Sequence, residues 1–172
     1  MRFSLLSMNL LAACAFLAVP VLGQAPAATR PAKVSWASRL EGLILEHTNT
    51  FRQEEKLAAL VVDPRLGQAA RYLAEYMALN DKFSHTADER EPHERAELYK
   101  YTGVCIGENI AWEYMGRYNG EELSRNFFET WKESEPHKNN MLGAEADEIG
   151  VGVATDGKGR FFAVQMFGRG KE

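Results

Sequence analysis

Ile149-Gly150-Val151-Gly152-Val153-Ala154-Thr155-Asp156-Gly157-Lys158-Gly159-Arg160-Phe161-Phe162-Ala163-Val164-Gln165-Met166-Phe167 is the stretch that decides the fold. From Ile149 to Ala154 it alternates large residues (Ile149, Val151, Val153) with small ones (Gly150, Gly152, Ala154), the period of two of a β-strand. Asp156-Gly157-Lys158-Gly159 supplies turn chemistry, and Arg160 to Phe167 returns as a second strand, which makes a β-hairpin. Glycine gives a strand face nothing to pack with. Two glycines on one face therefore predict that another element, a helix, lies very close to the backbone there.

Upstream of the hairpin the pattern is mostly helical. Leu40, Ile44, His47 and Phe51 share one face of a helix expected from Ser35 to Glu54. Asp63-Pro64 opens a second helix with a capping residue and a first-turn proline, Leu66, Ala70, Leu73 and Met77 form its stripe, and Asn80-Asp81 end it. A short charged helix spans Pro92 to Tyr101 and closes at Gly103, with His93 on its solvated face. Val104 to Trp112 reads as a strand. A further helix runs from Gly120 to Glu135 with Leu123, Phe127, Trp131 and Ser134 on one face; Pro136 stops it and leaves His137 to Asn140 in a loop. Phe127, Trp131, Phe162 and Phe167 are core candidates. Helices before and between a few strands give an α+β domain, a three-layer α-β-α sandwich around a small, mainly antiparallel sheet.

The first two dozen residues stand apart. Arg2 is the only charge before Arg30, and an apolar run extends from Leu5 to Leu22, the form of a secretory signal peptide over residues 1–23. Leu11-Ala12-Ala13-Cys14 offers a minor alternative, a lipid anchor on Cys14. Residues 24–34, rich in Ala and Pro, read as a disordered linker, and residues 35–170 as one domain. The expected location is secreted or periplasmic, without an integral membrane span. The net charge is −4 and no basic block occurs, which argues against nucleic acid as a partner; a monomer is expected. Of two cysteines only Cys105 follows the leader, so stability must come from core packing rather than an internal disulfide.

Three motifs carry candidate chemistry: Phe83-Ser84-His85, Gly107-Glu108-Asn109-Ile110, and Trp131-Lys132-Glu133-Ser134-Glu135-Pro136-His137-Lys138-Asn139-Asn140. Imidazole and carboxylate hold zinc and similar divalent ions, and they are the usual proton-transfer groups. Together with Asn49-x-x-Arg52, Asp63-Pro64-x-Leu66, Ile149-Gly150-Val151-Gly152 and Val164-Gln165-Met166-Phe167-Gly168, these motifs follow one another in the order of a known family. The chain resembles the CAP superfamily (cysteine-rich secretory protein, antigen 5 and pathogenesis-related 1), specifically its bacterial SCP-like branch, over about residues 40 to 168. The resemblance implies an α-β-α sandwich and a cavity lined by two histidines and two acidic residues. His85, Glu108 and His137 match three of those positions. The fourth falls at Ser134, which lacks the carboxylate. Ser134 and Asn140 are secondary cavity candidates.

Three functions remain open on this reading. The first is a secreted binding module whose His/Glu cavity takes a divalent cation (zinc or similar) or a small ligand; the resemblance also admits a lipid as partner, although the motifs specify no lipid groove. The second is a metal-dependent or His-Glu hydrolase, peptidase-like, although no catalytic residue is assigned. Cys105 lies three residues before Glu108, and in an extended segment that odd separation sends the two side chains to opposite faces. The third is an extracellular scaffold that recognises a macromolecule through surface loops such as Glu113 to Asn119. His47 is expected to be a hydrogen-bonded, partly buried histidine, Asn140 to bond backbone, and Gln165 to support packing.

Overall fold

The computed structural model describes residues 35–116 and 118–171; the leader, the linker and Cys14 lie outside the described residues. Helix α1 (Trp36–Glu54) starts at Ser35, whose hydroxyl accepts from the Ser38 amide, and turns Leu40, Ile44, Thr48, Phe51 and Arg52 inward. Strand β1 (Val61–Val62) is only two residues long. Asp63 then caps α2 (Pro64–Asn80) by accepting from the Arg65 and Leu66 amides. Helix α3 (Pro92–Leu98) and strand β2 (Val104–Tyr114) follow. Helix α4 (Gly120–Lys132) begins in a reciprocal cap between Asn119 and Glu122. Helix α5 (Glu135–Met141) and the hairpin of β3 (Glu148–Thr155) and β4 (Arg160–Arg169) complete the domain.

The four strands lie in the order β1-β3-β4-β2. β3 and β2 both pair antiparallel with β4, and β1 adds two parallel pairs to β3, so the sheet is mixed but mainly antiparallel. Its two faces carry separate cores. On one side Leu40, Ile44 and Phe51 of α1 and Leu123, Phe127 and Trp131 of α4 pack on Ile149, Val151, Val153 and Phe167. On the other, Leu66, Leu73 and Met77 of α2 pack on Ile110, Phe162, Val164 and Met166. The α-β-α layering is therefore present. Phe127, Trp131, Phe162 and Phe167 are all fully buried.

The close approach expected at the glycines is observed. A methyl added to Gly150 would lie 2.1 Å from the Leu66 carbonyl carbon, and one on Gly152 would lie 2.1 Å from the Arg71 amide nitrogen. Helix α2 rests directly on the bare backbone of β3, nearer than any side chain would allow.

Two local expectations are corrected. Helix α4 ends at Lys132, but the chain does not stay irregular after Pro136: it enters α5, with Pro136 in the first turn and Ser134 at the cap position. Proline halts the helix before it and starts the next for the same reason, its fixed φ and missing N–H. His137 and Asn140 are thus helical. In β2, Cys105 pairs with Gly168 while Gly107 pairs with Phe167, so Ile106 is an extra residue, a β-bulge. The bulge reverses the parity of side chains upstream of it. Cys105 and Glu108, expected on opposite faces, share the face that carries α2 and α3, and Cys105 packs against that core.

Candidate functional site

The site forms at β2, the outer strand of the sheet. Glu108 faces the α2 and α3 layer, and His85 reaches it from the turn that follows α2. His85 Nδ1 lies 2.8 Å from Glu108 Oε1. A carboxylate only accepts, so Nδ1 carries the proton and the lone pair is left on Nε2. The His85 side chain is 46% exposed and that of Glu108 only 1%, so the pair is anchored inside and opens outward at the imidazole.

A residue that the sequence reading placed on a solvated helix holds this pair in position. Arg95 is fully buried. Its Nη1 donates to Glu108 Oε2 at 2.6 Å, and its Nη2 donates to the His85 carbonyl at 2.6 Å. Nη2 and Nε also bond Asp88, at 2.8 and 3.3 Å. Burial alone would raise the Asp88 carboxyl; hydrogen bonds and charge from Arg95 outweigh it and hold the group below its ordinary range. Both Glu108 oxygens are therefore already engaged.

His137 comes from α5. Its Nδ1 is buried with no hydrogen-bond partner; Trp131 Nε1 is the other such atom among the described residues. Burial, and to a lesser degree the proximity of His85, lower the His137 pKa. The helix that presents His137 is fixed by a buried polar chain. Thr48 donates to the Ile44 carbonyl, Gln165 donates to Thr48, and Asn109 donates to both Gln165 and the His137 carbonyl. Asn140 donates to Asn109 Oδ1 at 2.9 Å and to the Glu108 carbonyl at 3.2 Å. A methyl on Gly107 would lie 2.8 Å from Asn140 Oδ1, so glycine there lets α5 seat against β2. At the other end of α5, Arg52 donates to the Met141, Gly143 and Ala146 carbonyls.

The remaining candidates lie outside this contact set. Ser134 makes no side-chain cap bond, and no hydrogen bond joins it to His137 among the described residues. Burial, reinforced by the Glu108 charge, pushes the Cys105 thiol up to about 11, so it is not a ready nucleophile. His47 is half-buried, with Nε2 3.3 Å from the Ser124 hydroxyl and its ring against Phe128. Among the described residues, no group of three or more His, Cys, Asp or Glu side chains is placed to hold a metal ion. An apolar groove of about 640 Å³, lined by Trp36, Leu40, Leu43, Met115, Leu123 and Phe161, shares no residue with the His85 cluster.

Sequence comparison gives this arrangement a family. A sequence model described as the cysteine-rich secretory protein family, CAP, matches residues 45–167, which include the whole His85, Glu108 and His137 set. The chain belongs to the CAP family. The CAP domain is 28% identical over 124 residues to the uncharacterized protein YkwD of Bacillus subtilis (strain 168), covering 72% of this chain and 46% of that protein. The chain thus spans about half the length of that curated relative. An extracellular protein from Bacillus anthracis that contains an SCP domain superposes with a TM-score of 0.65 at 25% identity, covering 77% of this chain and 41% of its own. An outer surface protein of Borrelia burgdorferi superposes with a TM-score of 0.62 at 19% identity, over 77% of this chain and 94% of its own. Among the described residues no helix is long and apolar enough to cross a membrane.

Proposed function

We propose that this CAP domain is an extracellular binding module that takes a divalent cation, or a small polar ligand in its place, between the imidazoles of His85 and His137. One observation carries the reading: the 2.8 Å contact from His85 Nδ1 to Glu108, which commits the opposite nitrogen of His85 to an outside partner. The orphaned Nδ1 of His137 is a second group without a protein partner. In this reading Glu108 orients His85 and is not itself a ligand, because His85 and Arg95 already use its two oxygens. Two imidazoles suit zinc or a similar borderline ion, which would supply Lewis acidity when bound; solvent or a ligand would complete its shell.

Calorimetric zinc titration tests this. The natural chain should bind zinc, the His85→Ala/His137→Ala double variant should not, and Glu108→Gln should weaken binding by roughly 10- to 100-fold. Equal binding by the natural chain and the double variant, or none by either, removes the reading. The raised Cys105 thiol and the lack of a Ser134–His137 bond favour binding over hydrolysis.

A second reading rests on the apolar groove between α1, α4 and the hairpin, which suits a lipid or other apolar ligand. Leu43→Arg, at a partly buried position of the groove wall, should abolish uptake of a fluorescent fatty acid if the groove is used, and leave uptake unchanged if it is not.

A further inference from the structure

We infer that Arg95 is the positioning residue of the His85 and His137 site: it fixes the Glu108 carboxylate and the His85 main chain at once, and so sets which nitrogen His85 turns outward. The inference rests on the binding reading above but adds a residue outside the matched motifs. Arg95 has no exposed surface. Each of its donor nitrogens is used: Nη1 on Glu108, Nη2 on Asp88 and on the His85 and Arg90 carbonyls, and Nε on Asp88. The planar guanidinium ties these groups in one rigid arrangement, which a lysine ammonium cannot reproduce.

The consequence concerns geometry. Glu108 could turn about its own side-chain torsions if only His85 held it. The second bond, from Arg95 to Oε2, removes that freedom and leaves Oε1 aimed at His85 Nδ1. The Arg95 bond to the His85 carbonyl holds the other end of the same residue. His85 is therefore clamped through both its main chain and its ring, although half of its side chain is in solvent. In water a free neutral imidazole favours the proton on Nε2. The clamp selects the other tautomer, the one that leaves the Nε2 lone pair free for a ligand.

Asp88 closes the arrangement on the far side. It offers Arg95 two oxygens and is itself fully buried as a side chain, so Arg95 cannot swing away from Glu108 without abandoning a second carboxylate. Arg95 acts through Glu108 and touches neither imidazole nitrogen.

The test is the tautomer of His85, read from nitrogen and carbon chemical shifts of the imidazole on the full chain, beside zinc titration. In the natural chain His85 should carry its proton on Nδ1. Arg95→Met combined with Asp88→Asn removes the clamp without leaving Asp88 as an unpaired buried charge. In that variant the His85 signal should move toward the Nε2-protonated form, and zinc affinity should fall about tenfold. Arg95→Lys should restore the tautomer only in part. His85 keeping Nδ1 protonation without Arg95 would overturn the inference. Should the double variant not fold, Arg95→Lys carries the same decision: a signal identical to the natural chain rules the clamp out. Absence of zinc binding in the natural chain removes the binding reading alone, because the tautomer is read without metal.

Discussion

Gly152→Ala isolates the contact on which the sandwich depends. The added methyl would sit 2.1 Å from the Arg71 amide nitrogen, 2.3 Å from the Ala70 carbonyl carbon and 2.4 Å from the Arg71 Cα. All three are main-chain atoms in the middle of α2, so no side chain can rotate out of the way. Ordinary van der Waals contact begins near 3.4 Å, so the helix has to retreat by about an ångström. That retreat loosens Leu66, Ala70, Leu73 and Met77, which have no exposed surface. Overpacking of this kind costs roughly 1–3 kcal/mol where side chains can yield, and rigid backbone places Gly152→Ala at or above the top of that range. At roughly 4 °C per kcal/mol for a domain of this length, the thermal midpoint followed by circular dichroism should fall by about 12 °C or more. Gly42→Ala is the control: it lies in α1, its added methyl meets nothing within 4 Å, and helix propensity should raise stability by about 1 kcal/mol. A Gly152→Ala midpoint within about 2 °C of the natural chain would refute the close-approach argument, as would Gly42→Ala being the more damaging change.

Removing Arg52, by Arg52→Met, leaves the Ala58, Met141 and Ala146 carbonyls without their donor and Gly143 with only the Ala146 amide. A loss of more than about 3 kcal/mol is expected, with faster amide exchange over Glu135–Met141 as the local signature. Asp63→Ala should lower stability by about 1–2 kcal/mol, measured by urea unfolding, since it deletes the cap of α2. Acid should weaken the fold through His47. Burial, then the charge of Arg125, hold its pKa below the ordinary 6.5, so between those two values the unfolded chain binds more protons than the folded one. Stability therefore falls as pH drops from about 7 toward 5, and His47→Gln should flatten that slope in urea titrations; an unchanged slope sinks the assignment.

The hairpin, the two glycines and the three long helices were legible because each rests on a local pattern: alternation, a stripe, a cap followed by proline. What escaped was set by distant partners. Val61 and Val62 become a strand only because the Glu148–Ile149 edge of β3 is beside them, and two residues carry no periodicity. Pro136 marks an end and equally a beginning, since the same ring geometry serves both, and the local sequence shows only the end. The His85–Glu108 contact joins motifs that the family pattern pointed to. Arg95 and Asp88 gave no such signal: Arg95 lies in a short helix beside the charged Glu94 and Glu97, and nothing local separates a buried arginine from its solvated neighbours.

Ile106 shows how much a single residue can decide. Upstream of it odd-numbered side chains of β2 serve the layer that even-numbered ones serve downstream. A relative that lacked this residue would keep Cys105 opposite Gly168 on the α2 and α3 face, with the cysteine then two positions before the glutamate instead of three. In an alignment, a one-residue gap here keeps each letter with its layer, whereas aligning without the gap would assign every residue upstream of it to the wrong face.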